Sequence, residues 1–130
     1  MEKIVFLYKQ ASVPNEILEA AKQKTPPDFE LILCEEKMSS KERREIVSEA
    51  DYFMLYTVGF DDVDVAKKAK LMQILSAGYD RLDVHSLKSA GIPLATNGGA
   101  NAPTVAEHTI LLILALYRKL PLHHISLKNG

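Results

Sequence analysis

A single cysteine, Cys34, stands in the 130 residues, and tryptophan is absent. One thiol cannot close an internal disulfide, which excludes the class of small disulfide-stapled domains and fits a reducing compartment. Cys34 ends the apolar run Phe29–Cys34, where a buried, inert thiol is expected rather than a nucleophile. An excess of charge is also missing: 16 Lys and Arg face 17 Asp and Glu. Such a balance gives no footprint for nucleic acid or an anionic membrane. The longest apolar run, Ile110–Tyr117, falls short of the ~18 residues that a spanning helix needs. The opening Met1-Glu2-Lys3 and Ile4–Tyr8 are too short and too abruptly ended for a signal peptide. No Cys/His/carboxylate set has zinc spacing, so His85, His123 and His124 suggest no metal site. The dinucleotide fingerprint Gly-x-Gly-x-x-Gly occurs nowhere. A soluble, cytoplasmic, single-domain chain is the expectation.

What is present is an alternation of short apolar runs with longer charged segments, the mark of strand–helix units around a parallel sheet. Strands are expected at Ile4–Tyr8, Phe29–Cys34, Asp51–Tyr56, Lys70–Leu75 and Ile92–Thr96. Between them, Ser12 is placed to cap a helix over Pro14–Lys24, with Ile17, Leu18 and Ala21 on one stripe. Thr25-Pro26-Pro27 ends that helix. Ser39 and Glu42 have capping-box spacing for a helix through Ala50. Asp61 or Asp62 could start another, and Asp83–Ala90 a short one closed by Gly91. A long helix is expected from about Thr104 to Leu120, stopped by Pro121. The pattern predicts a flavodoxin-like open parallel sheet of order 2-1-3-4-5 with helices on both faces. Ligands of such sheets bind beyond the carboxyl ends of the strands, which puts the loops after Tyr8, Tyr56, Leu75 and Thr96 on one rim.

On that rim, Ser76-Ala77-Gly78-Tyr79-Asp80 follows the fourth strand. Glycine permits a tight turn with positive φ and close approach of a ligand to the backbone. Successive N–H groups in such a turn make a nest for an anion, with charge-assisted bonds worth ~1.5–3 kcal/mol each. An ordinary strand-to-helix turn has the same composition. The next loop, Asn97-Gly98-Gly99-Ala100-Asn101, is rich in residues that tolerate left-handed geometry. Thr104-Val105-Ala106-Glu107 is a second capping-box match, so Glu107 reads as a cap rather than a catalytic acid. His108 has no Ser, Cys or ligand partner at useful spacing and reads as structural. The helix Val105–Leu120 is apolar nearly all round, which calls for cover on every side.

The stretch Leu75–His108 closely resembles the substrate-side segment of the D-isomer-specific 2-hydroxyacid dehydrogenases. The likeness runs from about Leu71 to Leu120 and is only architectural before that. It implies NAD(H)-dependent interconversion of a 2-hydroxy acid and a 2-keto acid. By the same resemblance, the amides of Ala77 and Gly78 hold the substrate carboxylate and Asn101 donates to the substrate. Tyr56 and Thr57 complete the substrate side, and Thr104 is the cofactor-side residue. The resemblance also implies a division into a substrate-binding domain (1–103), an interdomain helix (104–120) and a connection (121–130) toward a nucleotide-binding domain. The family's catalytic Arg, Glu and His belong to that second domain, so no catalytic residue is assigned, and the chain reads as half an enzyme. A homodimer through Val105–Leu120 is expected.

The loop Tyr56–Phe60 carries no cation, which leans toward a keto acid with a small uncharged side chain. Two other readings compete. A non-catalytic dimerisation or carboxylate-binding regulatory domain would keep the same nest. A receiver-type signalling module shares the sheet order, but it needs acidic residues where this chain has Tyr8-Lys9 and Tyr56-Thr57.

Overall fold

The computed structural model describes residues 1–130, which form two compact units, Met1–Asn97 and Gly98–Gly130. The first contains β1 (Glu2–Tyr8), α1 (Asn15–Lys24), β2 (Phe29–Glu35), α2 (Ser40–Glu49), β3 (Tyr52–Tyr56), β4 (Leu71–Ile74), α3 (Val84–Ser89) and β5 (Leu94–Ala95). Its five strands form one parallel sheet in the order β2-β1-β3-β4-β5, the order that the alternating pattern implies.

Central β1 is apolar on both faces because both faces are covered. Side chains alternate along a strand, so Val5 and Leu7 join Cys34, Phe53, Leu55 and Met72 on the side of Val47 (α2) and Leu87 (α3). Phe6 and Tyr8 point the other way, into a smaller cluster with Val13 and Leu18, the buried residue of α1. Each fully buried large side chain stabilises the fold by roughly 1.5–3 kcal/mol. Cys34 is wholly buried, and that burial pushes its thiol above the ordinary value.

The helix ends show where local signals held. Ser39 Oγ accepts from the Glu42 N–H at 3.3 Å, as the capping box requires. Asp83 Oδ1 accepts from the Ser86 N–H at 3.1 Å, and its two bonds to Ser86 hold the carboxyl below its usual range. Gly91 closes α3 at φ +72°. Two expected starts differ. Ser12 does not cap α1: the helix begins at Asn15 behind Pro14, without a side-chain cap, while the Ser12 N–H is used in a turn to Lys9. No helix follows Asp61 or Asp62. Asp62 is instead buried, 2.7 Å from Arg43 Nε and 3.3 Å from Arg44 Nη1, so its carboxylate ties α2 to the loop and is not free to cap.

The second unit contains α4 (Ala102–Tyr117) and α5 (Leu120–Asn129). The expected start of the long helix at Thr104 is corrected to Ala102. Pro103 occupies the first turn, where a missing N–H costs nothing, so Thr104 and Glu107 lie inside the helix and form no capping box. Nor does Pro121 stop that helix. It ends at Tyr117, Lys119 turns the chain at φ +53°, and Pro121 opens α5 over residues expected to be a plain connection. The two helices meet at 58°, and no single helix is long and apolar enough to cross a membrane.

Candidate functional site

Parallel strands bring their carboxyl ends to one rim, and β3 and β4 carry the residues of interest there. The turn after β4 is pinned at two points: the Asn97 N–H donates to Ser76 O at 2.9 Å, and the Leu82 N–H to Tyr79 O at 3.0 Å. Within it, Ser76 Oγ donates to Gly78 O at 3.0 Å. The amides of Ala77 and Gly78 donate to no acceptor of the chain, and both residues are exposed. Unpaired N–H groups on a pinned, solvent-facing turn are what an anion site needs. Gly78 does not use the positive φ expected of it. A Cβ there would lie 3.2 Å from Asp80 Oδ2, the end of an exposed and mobile side chain, so the turn's shape does not depend on glycine.

The loop after β3 contributes a strained residue. Thr57 has φ +57°, a left-handed conformation that a β-branched side chain adopts at a cost of about 1–3 kcal/mol. Its carbonyl accepts from Arg81 Nη1 at 2.5 Å, and its Oγ1 is buried with no partner. Two residues on, Gly59 packs so closely on the Arg81 carbonyl that a Cβ would sit 3.2 Å from that oxygen. The two rim loops are thus clasped side chain to backbone. Between them lies a cavity of about 290 Å³ lined by Thr57, Val58, Gly78, Asp80, Arg81 and neighbours. A larger hollow of about 520 Å³ lies against α3, but its Asp83 is already spent on capping that helix.

Of the residues singled out from sequence, the structure brings Thr57 and Gly78 together around one cavity, with Ala77 in the same turn. Tyr56 is half-buried and packs with Phe6, Tyr8, Val13 and Leu18, in the cluster that includes α1. Asn101 stands at the N-cap of α4 without a side-chain bond, and Thr104 is exposed in the first turn. Glu107 and His108 are exposed on the same helix. Sequence reasoning missed Arg81. Its signal is a cation three residues past the anion nest, and its reach to Thr57, 24 residues upstream, is announced by no local spacing.

Comparison with known proteins gives a consistent picture. The family profile described as D-isomer specific 2-hydroxyacid dehydrogenase, catalytic domain, matches residues 4–120. The chain is 32% identical over 104 residues to a hydroxypyruvate reductase of Thermotoga maritima, covering 78% of this chain and 34% of that protein. It is 34% identical over 68 residues to a D-3-phosphoglycerate dehydrogenase of Archaeoglobus fulgidus, covering 52% of this chain and 13% of that protein. Among solved structures, the PH0520 protein of Pyrococcus horikoshii superposes with a TM-score of 0.72 at 26% identity, covering all of this chain and 38% of that one. An NAD+-bound 3-phosphoglycerate dehydrogenase of Entamoeba histolytica gives 0.67 at 22% identity, covering 91% and 40%. The chain therefore spans about a third of the length of the first of these relatives and about two-fifths of the solved structures.

Proposed function

Because this chain belongs to the D-isomer-specific 2-hydroxyacid dehydrogenases, through the part of the family described as the catalytic domain, we propose that it holds the acid substrate of an NAD-dependent dehydrogenase. The reaction is the interconversion of a 2-keto acid and a 2-hydroxy acid. The observation that carries this reading is the pair of unpaired amides at Ala77 and Gly78 on a turn fixed from both sides. A carboxylate seated there gains two charge-assisted hydrogen bonds and an orientation for its neighbouring carbon.

The residues of this chain do not fit a dinucleotide. It has no Gly-x-Gly-x-x-Gly, and the rim cavity of about 290 Å³ suits a small acid rather than a dinucleotide. In the proposed enzyme a separate nucleotide-binding part supplies NAD and the proton-transferring groups, with Thr104 the one contact assigned to this chain. These 130 residues bind and orient, and by themselves transfer no hydride.

The test is titration of the ¹⁵N-labelled chain with D-lactate, followed through the amide resonances. Shifts centred on Ala77 and Gly78, with a dissociation constant on the order of millimolar, are expected for two such bonds on an open turn. Resonances at Ala77 and Gly78 that stay fixed while others move would overturn the reading.

A further inference from the structure

The cavity beside the nest has an electrostatic feature that a simple keto acid does not use. Arg81 is a cation among its lining residues, and it belongs to none of the chain's ion pairs. One guanidinium nitrogen, Nη1, is anchored on the Thr57 carbonyl at 2.5 Å, which fixes the head group at the cavity wall. Guanidinium carries five N–H donors, so most of the fork stays open. Thr57, on the same wall, adds a buried hydroxyl with no partner. Two neighbouring residues thus hold unused polar atoms, and both come from loops that the clasp keeps in place.

We infer that Arg81 is a specificity-determining residue whose guanidinium receives a second carboxylate at the far end of the substrate, so that the ligand is a small dicarboxylic 2-keto or 2-hydroxy acid. This rests on the proposed nest at Ala77 and Gly78 for the first carboxylate. The planar fork of an arginine matches a carboxylate with two parallel bonds, and it is already oriented here before the ligand arrives. The size allows it: a cavity of about 290 Å³ has room for a small dicarboxylic acid. Asp80 is the opposing charge on the cavity wall, lying against Gly78, and it makes no bond to Arg81. Asp80 therefore weakens the binding of any anion and sharpens the need for Arg81.

The experiment compares D-malate with D-lactate in the amide titration of the whole chain, in wild type, Arg81→Met, Arg81→Lys and Asp80→Asn. Arg81 is exposed and outside the core, so the sheet survives both substitutions at Arg81; the thermal midpoint checks the fold, and the ligand-free Ala77 and Gly78 resonances check the turn after the clasp to Thr57 is lost. Wild type is expected to bind D-malate about tenfold more tightly than D-lactate. Arg81→Met weakens D-malate more than D-lactate and so closes that gap, Arg81→Lys restores part of it, and Asp80→Asn tightens both acids. Equal affinity of the two acids for wild type, with both moving Ala77 and Gly78, overturns the role of Arg81 and spares the nest. Failure of both acids to move Ala77 and Gly78 overturns the nest and this inference together. Tight binding of 3-phosphoglycerate with no preference for D-malate overturns the assignment of a second carboxylate.

Discussion

The two compact units treat the same kind of side chain in opposite ways. In Met1–Asn97, Phe53 and Leu55 are each 1% exposed, whereas in Gly98–Gly130, Leu112 and Ile113 are 51% and 59% exposed. Apolar content does not separate them; pattern does. The strands of the sheet alternate their side chains between two faces, and α1 and α2 each carry one buried residue against a charged exterior. Such patterns specify a core that the unit closes by itself. Helix α4 confines its polar residues Thr104, Glu107, His108 and Thr109 to its first half, so Ile110–Tyr117 is apolar all round and has nowhere within its own helix pair to be hidden. A patch of that extent rarely persists on a soluble monomer. The first unit closes its own core, and for the second we propose association as the source of cover.

The largest effect expected from this contrast is at the centre of the sheet. Phe53→Ala removes a ring packed on Phe60, with centroids 5.0 Å apart, and leaves a cavity that the sheet cannot collapse around. It should destabilise the fold by about 3–5 kcal/mol, read as a lowered urea midpoint at unchanged slope. A loss under 1 kcal/mol would mean that the core of the first unit is not closed.

Next comes the ionic node behind the rim. Asp62→Ala strands Arg43, which is only 26% exposed in its side chain, leaves Arg44 with Asp64 alone, and should cost about 2–4 kcal/mol. Its neighbour Asp64 pairs with the same Arg44 at 2.5 Å but is 63% exposed, so Asp64→Ala should cost no more than about 0.5–1 kcal/mol. Equal losses at the two positions would show that the node is a surface feature.

This node also marks where the sequence stopped being readable. Strand positions and sheet order follow from runs such as Ile4–Tyr8 and from their spacing, because parallel strands need no partner-specific code. The cap at Ser39 was legible because a capping bond spans three residues. Asp62 was misread as a helix start because its partners lie nearly twenty positions upstream, and no local pattern announces a bond of that range. Thr104 was misread for a local reason: two valid start signals overlapped, and Pro103 outranked the capping box. At the site, glycine and rim position revealed the nest. The Arg81–Thr57 clasp joins loops 24 residues apart and could only be seen once they were folded together.

A smaller effect separates the units by pH. Asp51 accepts from the Lys3 N–H at 3.0 Å and pairs with Lys70, and these hold its carboxyl below its ordinary value of 3.8. A lowered folded-state value contributes stability that is present above pH 3.8 and lost as pH falls through the folded-state value. Asp51→Asn should therefore lower stability in the neutral region and leave it nearly unchanged below the folded-state value, which flattens the acid limb of the stability curve. An acid limb identical to wild type would remove Asp51 from the account.

The smallest expected change is the one that bears most directly on the contrast. Leu112→Ala in α4 removes a side chain that is already half in water, and alanine is the better helix former. In dilute solution the urea midpoint should shift by no more than about 0.5 kcal/mol, against the several lost at Phe53. At high concentration the outcome should differ. If Val105–Leu120 is where two copies meet, as we propose, wild type sediments as a dimer and its apparent stability rises with concentration. Leu112→Ala weakens that rise, and Leu112→Glu, which places a charge in the apolar contact, abolishes it. A monomer at every concentration would leave α4 uncovered by its own kind, and the dimer proposal would fall while the first unit's stability stood unchanged.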